Sequence, residues 1–194
     1  MPLTQDDFDE LAQLCNAANK NEVRCMELLA SAPGYLVQGT IVSVNALTEI
    51  RSFFGDSDLT VTADIRDDGN SIRRKAYIWE LKAPQCFIME KDANNNRYRP
   101  SMDFIKAENQ LIHYAYEAQG NRRFGERLEI MRQSDILIGG IIIGRTDRIL
   151  RDAQSDGERE RAWDSLNIRQ RYLHDQHHIR VMTWDTVLEL LRPT

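Results

Sequence analysis

The clearest pattern in the chain is the alternation of apolar and polar residues in LTVTADIR, at 59–66. A period of two is typical of a strand that buries one face. The turn-like segment DDGNS follows at 67–71, and an apolar run occupies 75–82. This order predicts an antiparallel hairpin in which 75–82 returns alongside 59–66. Residues 35–57 are ambiguous, with a strand-like GTIVSV and a turn at FFGDSD.

Two segments carry apolar residues at helical spacing. Residues 5–31 are predicted to be helical with a break near 16–21, before a proline and a glycine end the pattern. Residues 102–119 form a second helix, with Ser101 as its N-cap and Gly120 as its stop.

The second half of the chain alternates between strands and charged helical segments. After a polar loop at 91–101 and the second helix, residues 136–143 are apolar on both faces, as in a central strand of a covered sheet. Residues 145–173 are charged and predicted helical, and 178–184 is a further strand. Asp185 is predicted to cap a last short helix.

The order of these elements predicts an α/β fold, with a mixed central β-sheet flanked by helices. The 194 residues suffice for one core, and no linker or repeat divides them, so we expect one domain over 1–194. No apolar run approaches the roughly 20 residues that span a bilayer, so no membrane partner is predicted.

Charge and cysteine content narrow the function classes. The net charge of −5 argues against binding nucleic acid by bulk charge, although a local basic surface stays open. Three scattered cysteines and an acidic N-terminus without a secretory pattern favour reduced thiols and a cytoplasmic protein. The cluster HDQHH at 174–178 lacks a cysteine partner, which disfavours a zinc site.

The segment YIWELKAP, at 77–84, contains the strongest candidate for chemistry. Side chains two apart on a strand share a face, so Glu80 and Lys82 project together, opposite Tyr77, Trp79 and Leu81. Charge at the end of an apolar strand is costly unless it is paired or used. A simple ion pair and a catalytic pair are both open.

Asp64 lies on the polar side of the neighbouring strand, and we expect it to converge with Glu80. Two adjacent carboxylates repel unless a proton or a cation lies between them. Mg²⁺ prefers oxygen ligands and often takes only one or two carboxylates. The predicted site is therefore Asp64, Glu80 and the backbone carbonyl of Leu81 around Mg²⁺, with Mn²⁺ as a substitute, and with Lys82 beside it.

The helix at 102–119 adds a polar face. Gln110 and Tyr114 are four residues apart and share this face, with Lys106 one turn earlier. Pointed inward, they would orient water or phosphate. An ordinary helix surface is the alternative.

Taken in order, Asp64, the E-L-K triplet at 80–82 and Q-x-x-x-Y at 110–114 resemble the PD-(D/E)XK nuclease superfamily. The chain resembles more closely the Shedu family of anti-phage defence nucleases. The similarity extends over about residues 20–191 and includes ELLASAPGYL (27–36), ILIGGIIIGR (136–145) and IRVMTWDTVLELL (179–191).

The resemblance implies a restriction-endonuclease-like core over 21–191, preceded by a helical extension at 1–20. It also implies Mg²⁺-dependent hydrolysis of DNA phosphodiester bonds. The assembly that it implies is a homo-oligomer, either a dimer or a tetramer. A restriction- or repair-type nuclease on the same fold is one alternative. A catalytically inactive binding or assembly module is the other.

Residue by residue, the resemblance implies catalytic roles for the metal ligands Asp64 and Glu80 and for Lys82, and Gln110 matches the family's helix glutamine. A glutamate of the leading helix also joins the site in this family. Glu22 fits that position better than its rival Glu27. Tyr114 is a further possible site residue. At position 83, where the family often has a basic residue, this chain has alanine.

Overall fold

The computed structural model describes residues 3–52, 55–92 and 97–193, without the side chains from 49 to 57. In these residues the strands are β1 (Thr40–Ser52), β2 (Gly55–Arg66), β3 (Ile72–Leu81), β4 (Met89–Lys91), β5 (Tyr98–Pro100), β6 (Ile136–Ile142) and β7 (Arg180–Met182). The helices are α1 (Gln5–Asn16), α2 (Glu22–Ala30), α3 (Met102–Gly120), α4 (Arg122–Arg127), α5 (Asp156–Arg169) and α6 (Trp184–Leu191).

The main sheet has the strand order β1-β2-β3-β6-β7. The pairs β1–β2 and β2–β3 are antiparallel, whereas β6 lies parallel to both β3 and β7. Strands β4 and β5 form a small separate sheet. The predicted mixed α/β class with helices around a central sheet is confirmed.

The predicted hairpin is confirmed and is longer than expected. Its turn closes where the N–H of Asp67 donates to the carbonyl of Ser71 at 2.9 Å, and the Asp67 carboxylate accepts from the N–H of Ser71 at 2.8 Å. Strand β2 already begins at Gly55, so residues 55–58, expected in a turn, extend the strand instead. Residues 53 and 54 of that predicted turn lie outside the described residues.

Helices cover both faces of the sheet. Helix α3 packs against the face that carries Ile78, and its apolar stripe is buried there, including Phe104, Ala107 and Leu111. Helices α1, α2 and α6 contribute to the core on the other face, with Trp79 and Leu81. The alternation read from the sequence of β3 is therefore confirmed, and it separates the two cores.

Two glycines let β6 lie at the centre of the sheet. A Cβ at Gly139 would come within 2.3 Å of the Trp79 indole nitrogen, and a Cβ at Gly140 within 2.1 Å of the Arg180 carbonyl oxygen. Gly140 also has φ of 155°, which L residues rarely adopt. The large Trp79 ring fits under β6 because these side chains are absent.

The helix caps differ in one case from prediction. Ser101 caps α3 as expected, since its Oγ accepts from the N–H of Phe104 at 3.1 Å. Helix α6 is capped by Thr183, whose Oγ1 accepts from the N–H of Thr186 at 3.3 Å. The prediction that Asp185 is the cap is wrong. Its carboxylate instead accepts hydrogen bonds from the Arg145 side chain and from the backbone N–H of Thr146.

Two other segments depart from the predicted pattern. Of residues 145–173, only 156–169 form an α-helix, and 170–174 continue it as a π-helical turn. The predicted loop at 91–101 contains β5, although residues 93–96 lie outside the described part. None of the helices seen in the described ranges has the length and apolar character needed to cross a bilayer.

Candidate metal-binding and catalytic site

Glu80 is fully buried near the end of β3, on the face that α3 covers. Its Oε1 lies 2.5 Å from Nζ of Lys82. Its Oε2 is also shielded from solvent and accepts no hydrogen bond from the described part of the chain. A buried carboxylate oxygen without a donor costs free energy unless a proton or a cation lies beside it.

Asp58, on β2, lies beside Glu80. The ladder pairs Leu59 with Trp79, which places the preceding Asp58 next to Glu80, and the Asp58 carboxylate accepts from the N–H of Leu81 at 2.8 Å. Burial raises the pKa of Glu80 to about 8; the negative charge of Asp58 and a side-chain hydrogen bond between the two acids contribute to this rise, while Lys82 opposes it. Two carboxylates thus share one partly dry corner, an arrangement that a shared proton or a cation relieves.

The predicted convergence of Asp64 with Glu80 is wrong. In the hairpin register Asp64 lies opposite Arg74, six residues before Glu80 on β3 and therefore about 20 Å away along the strand. Its carboxylate binds Arg74 at 2.9 Å and accepts from Ser43 at 2.5 Å. The Arg74 guanidinium lowers the pKa of Asp64, with help from Ser43, so this acid is already satisfied.

The position of the hairpin turn in the sequence predicts that Asp58 lies opposite Glu80. Glu80 and Asp58 are equally far from Gly69 along the chain, so a hairpin centred there brings them together. Asp58 and Asp64 occupy the same polar face of β2, because they are an even number of residues apart. The turn-like composition of 53–58 masks this signal in the sequence.

The Lys82 ammonium is held among acids. Burial lowers its pKa, but the negative charge of Glu80, with Asp58 and Glu22, outweighs this effect and leaves the pKa above its ordinary value.

The backbone at Lys82 is held by hydrogen bonds on both sides. Its N–H donates to Ile142 at 2.8 Å, and its carbonyl accepts from the Trp184 indole at 2.8 Å.

Glu22, the first residue of α2, reaches the same corner. Its carboxylate accepts from the N–H of Ala83 at 2.7 Å, and burial raises its pKa while Lys82 opposes the rise. Glu27 points elsewhere, since it pairs with Arg24 at 3.0 Å and about half of its side chain is exposed. The structure therefore brings Glu22, and not Glu27, to the residues that follow β3.

Tyr114 of α3 lies near the site, and Gln110 is its neighbour on the helix. Gln110 donates to the Tyr114 hydroxyl at 3.5 Å, and both side chains are partly buried. Burial raises the pKa of Tyr114, and the charges of Glu80 and Asp58 act in the same direction, so this hydroxyl lies within their field. Lys106, which shares the helix face in projection, is solvent-exposed instead.

The donors at this corner are oxygens. Asp58 and Glu80 supply carboxylates, and the Leu81 carbonyl lies at the same edge of β3 because its N–H already faces Asp58. No group of three or more His, Cys, Asp or Glu side chains is arranged for a metal ion within the described ranges. Two carboxylates and a carbonyl nevertheless fit Mg²⁺, which usually keeps several water ligands.

A second buried polar cluster was not predicted. Glu108, within the apolar face of α3, accepts two hydrogen bonds from Arg169 at 2.7 Å each and contacts Nε2 of His174 at 2.6 Å. This cluster ties α3 to the end of α5. The signal in the sequence is a glutamate beside the apolar stripe, but its partners lie more than 60 residues away.

The similarity to known proteins agrees with the predicted resemblance. The sequence model of the family described as Shedu protein SduA, C-terminal, matches residues 30–188. A search of curated proteins found no match. The matched range contains Asp58, Glu80, Lys82, Gln110 and Tyr114, whereas Glu22 precedes it. Since the match covers most of the chain, this protein belongs to the Shedu family, in the part that corresponds to the SduA C-terminal region.

Proposed function

We propose that the chain is a metal-dependent endonuclease that hydrolyses DNA phosphodiester bonds in anti-phage defence. Membership of the Shedu family supports the role in defence. The observation that carries the nuclease assignment is the buried Glu80 carboxylate, which has one oxygen on Lys82, the other without a donor, and Asp58 beside it. This acid–acid–lysine corner suits phosphoryl-transfer chemistry better than a structural ion pair.

The fold is compatible with a restriction-endonuclease-like core. The E-L-K strand, β3, is the third of five strands in the main sheet, and it connects an antiparallel hairpin to parallel strands. Helix α3 lies between β3 and β6 in the chain and covers the corner from one face. Glu80 thus sits in a rigid central strand, which holds its carboxylate in place.

Asp58, Glu80 and the Leu81 carbonyl would hold Mg²⁺, with Mn²⁺ as a substitute, and Asp58 takes the role first expected of Asp64. When bound, the ion supplies charge neutralisation at the phosphate and lowers the pKa of water. The unpartnered oxygen of Glu80 and the repulsion between the two acids are the features that this cation would relieve.

Lys82 acts as a cation in this proposal. Because its neighbours hold its pKa above the ordinary value, the ammonium donates hydrogen bonds and does not serve as a base. It would orient the attacking water and stabilise the negative charge that develops on the phosphate. Glu80 fixes the position of this ammonium through the 2.5 Å contact.

Glu22, Gln110 and Tyr114 have supporting roles in this proposal. Glu22 binds the backbone of Ala83 and so fixes the segment directly after Lys82, which makes it a positioning residue. Gln110 and Tyr114 present an amide and a hydroxyl from α3 to the edge of the corner. These groups are suited to hydrogen-bond a phosphate or the water that attacks it.

Incubation of purified protein with linear and supercoiled DNA, in Mg²⁺ or Mn²⁺, tests the proposal. We expect metal-dependent cleavage that is abolished by EDTA and by Lys82→Ala. Metal-independent DNA binding without cleavage would favour the inactive binding module instead. Cleavage that survives Lys82→Ala would contradict the assigned site, and the preferred substrate and DNA ends would separate a defence nuclease from a restriction- or repair-type enzyme.

Cutting both strands of a duplex takes two active sites or two successive events. A homo-oligomer, either a dimer or a tetramer, would provide the two sites, and we propose this as the working assembly. Light scattering coupled to size-exclusion chromatography measures the assembly directly. A monomer that still cuts both strands would show that successive events suffice.

A further inference from the structure

A cavity of about 520 Å³ lies beside β6 and is lined by cationic and imidazole side chains. Lys75, His177, His178 and Arg180 contribute to its wall, and none of its lining residues is an aspartate or a glutamate. Lys75 and Arg180 favour an anion here, against the opposing charge of Asp135, which acts on Tyr77 of the wall.

Arg180 is one of the two cations that line this cavity. The side chain is partly buried, and burial lowers its pKa. Its guanidinium stacks over the Trp79 ring at 4.5 Å and donates to the carbonyl of Leu36, but it forms no ion pair with the described residues. A partly desolvated guanidinium without a counter-charge costs free energy, which a bound anion would offset.

Lys75 strengthens the same conclusion. It lies on β3 two residues before Tyr77, on the same face, and it also lacks a carboxylate partner in the described ranges. The two cations belong to different strands, β3 and β7, so they approach the cavity from separate elements. Both side chains line the one cavity, so an anionic ligand in it has a cation on two of its walls.

The remaining wall suits the organic part of a ligand. Tyr77 is largely buried and supplies an aromatic surface, while Leu137 and Ile138 add apolar surface. Strand β7 pairs only with residues 140–142 of β6, so the backbone at 137–139 is not covered by that strand. The size falls in the range of small-molecule pockets, and it exceeds the need of a bare phosphate.

We infer that this cavity binds a small phosphorylated ligand of nucleotide size, with its phosphate held by Lys75 and Arg180 and its organic part against Tyr77. The site is separate from the candidate catalytic corner, because Lys75 and Tyr77 lie on the face of β3 opposite Glu80. It does not depend on the proposed nuclease activity.

Isothermal titration calorimetry in EDTA tests this site without any metal. The probes are ATP, AMP, adenosine, inorganic phosphate and a short DNA duplex. We expect AMP or ATP to bind, phosphate to compete and adenosine not to bind. Arg180→Gln and Lys75→Gln should each weaken binding by at least about tenfold. Lys82→Ala, on the catalytic corner, and Arg159→Gln, on α5, should leave it unchanged.

A second readout guards against misfolded variants. The Trp79 ring lies under Arg180, so ligand binding should change tryptophan fluorescence in the wild type. If Arg180→Gln melts early, Lys75→Gln alone decides the outcome. Failure of both nucleotides to bind would overturn the inference, and so would binding that survives both substitutions. Binding of the DNA duplex alone, with loss in both variants, would also overturn it and assign the surface to DNA.

Discussion

Oε1 of Glu80 lies 2.5 Å from Nζ of Lys82, while Oε2 of the same carboxylate is buried and accepts no hydrogen bond from the described residues. The second oxygen lies beside Asp58, so two acids meet at the end of the Lys82 ion pair. In the proposed function, this carboxylate is divided between the Lys82 ammonium and a bound cation. The metal-binding and catalytic predictions below test this division.

Mg²⁺ should stabilise the protein through this corner. At a metal concentration ten times the Kd, a bound ion adds about 1.4 kcal/mol of stability, which raises the Tm of a domain of this size by about 4 °C. Glu80→Gln should abolish the shift, because it removes the carboxylate that faces the ion. Differential scanning fluorimetry over a Mg²⁺ titration measures it. A full shift in Glu80→Gln would place the ion elsewhere.

Lys82→Arg should lose most of the DNA cleavage despite the retained charge. The planar guanidinium is larger than an ammonium and cannot occupy the same position 2.5 Å from Glu80. We expect the cleavage rate to fall by at least about tenfold while Mg²⁺ binding persists. Single-turnover nicking of supercoiled DNA gives the rate. Near-normal cleavage by Lys82→Arg would contradict a close geometric role for the lysine.

The cluster around Glu108 should make a stability contribution that acid removes. Burial alone would raise the pKa of Glu108, but His174 and Arg169 overcome it and hold the pKa below the ordinary 4.5. The folded state therefore binds this proton less readily than the unfolded state. The stabilisation is complete above pH 4.5 and is lost as the pH falls through the lowered folded pKa.

Glu108→Gln should accordingly cost about 2 kcal/mol of unfolding free energy at pH 7. This gap in unfolding free energy between the wild type and the variant should narrow below pH 4.5. Urea denaturation at pH 7, 5 and 3.5 measures the gap. Glu126→Gln is the control, because its pair with Arg122 is exposed and surface pairs contribute little. A gap that widens in acid would show that Glu108 is not the ionised partner.

Gly139→Ala should destabilise the sheet without touching the acidic corner. The added Cβ would meet the Trp79 indole at 2.3 Å, and the ring is fully buried with no room to retreat. We expect a loss of about 2 to 3 kcal/mol in unfolding free energy. Gly34→Ala is the matched control, because no atom lies within 4 Å of its added Cβ. Equal stability of the two variants would contradict the close packing of β3 under β6.

The elements set by local pattern could be predicted from the sequence. The alternation along 59–66, the turn composition at 67–71 and the Ser101 cap each depend on neighbours in the chain, and the structure confirms all three. The order of these elements predicts the fold class, and the E-L-K and Q-x-x-x-Y motifs with the flanking segments carry the resemblance to Shedu proteins. Glu80 and Lys82 were found because they interrupt an apolar strand.

The site residues that depend on tertiary register could not be fixed in the same way. The clear alternation at 59–66 favours Asp64, yet the hairpin pairs it with Arg74. The turn-like composition of 53–58 gives no sign that Asp58 lies on a strand. The partners of Glu108 come from residues more than 60 positions away, and no local pattern specifies such a contact.

Asp58→Asn and Asp64→Asn form the pair of variants that tests the central claim most directly. Both remove one carboxylate from the same face of β2, but only Asp58 lies beside Glu80. In a Mg²⁺-dependent DNA cleavage assay we expect Asp58→Asn to lose at least about a hundredfold in rate and Asp64→Asn to stay within about threefold of wild type. Full activity in Asp58→Asn, or a loss confined to Asp64→Asn, would contradict the assignment.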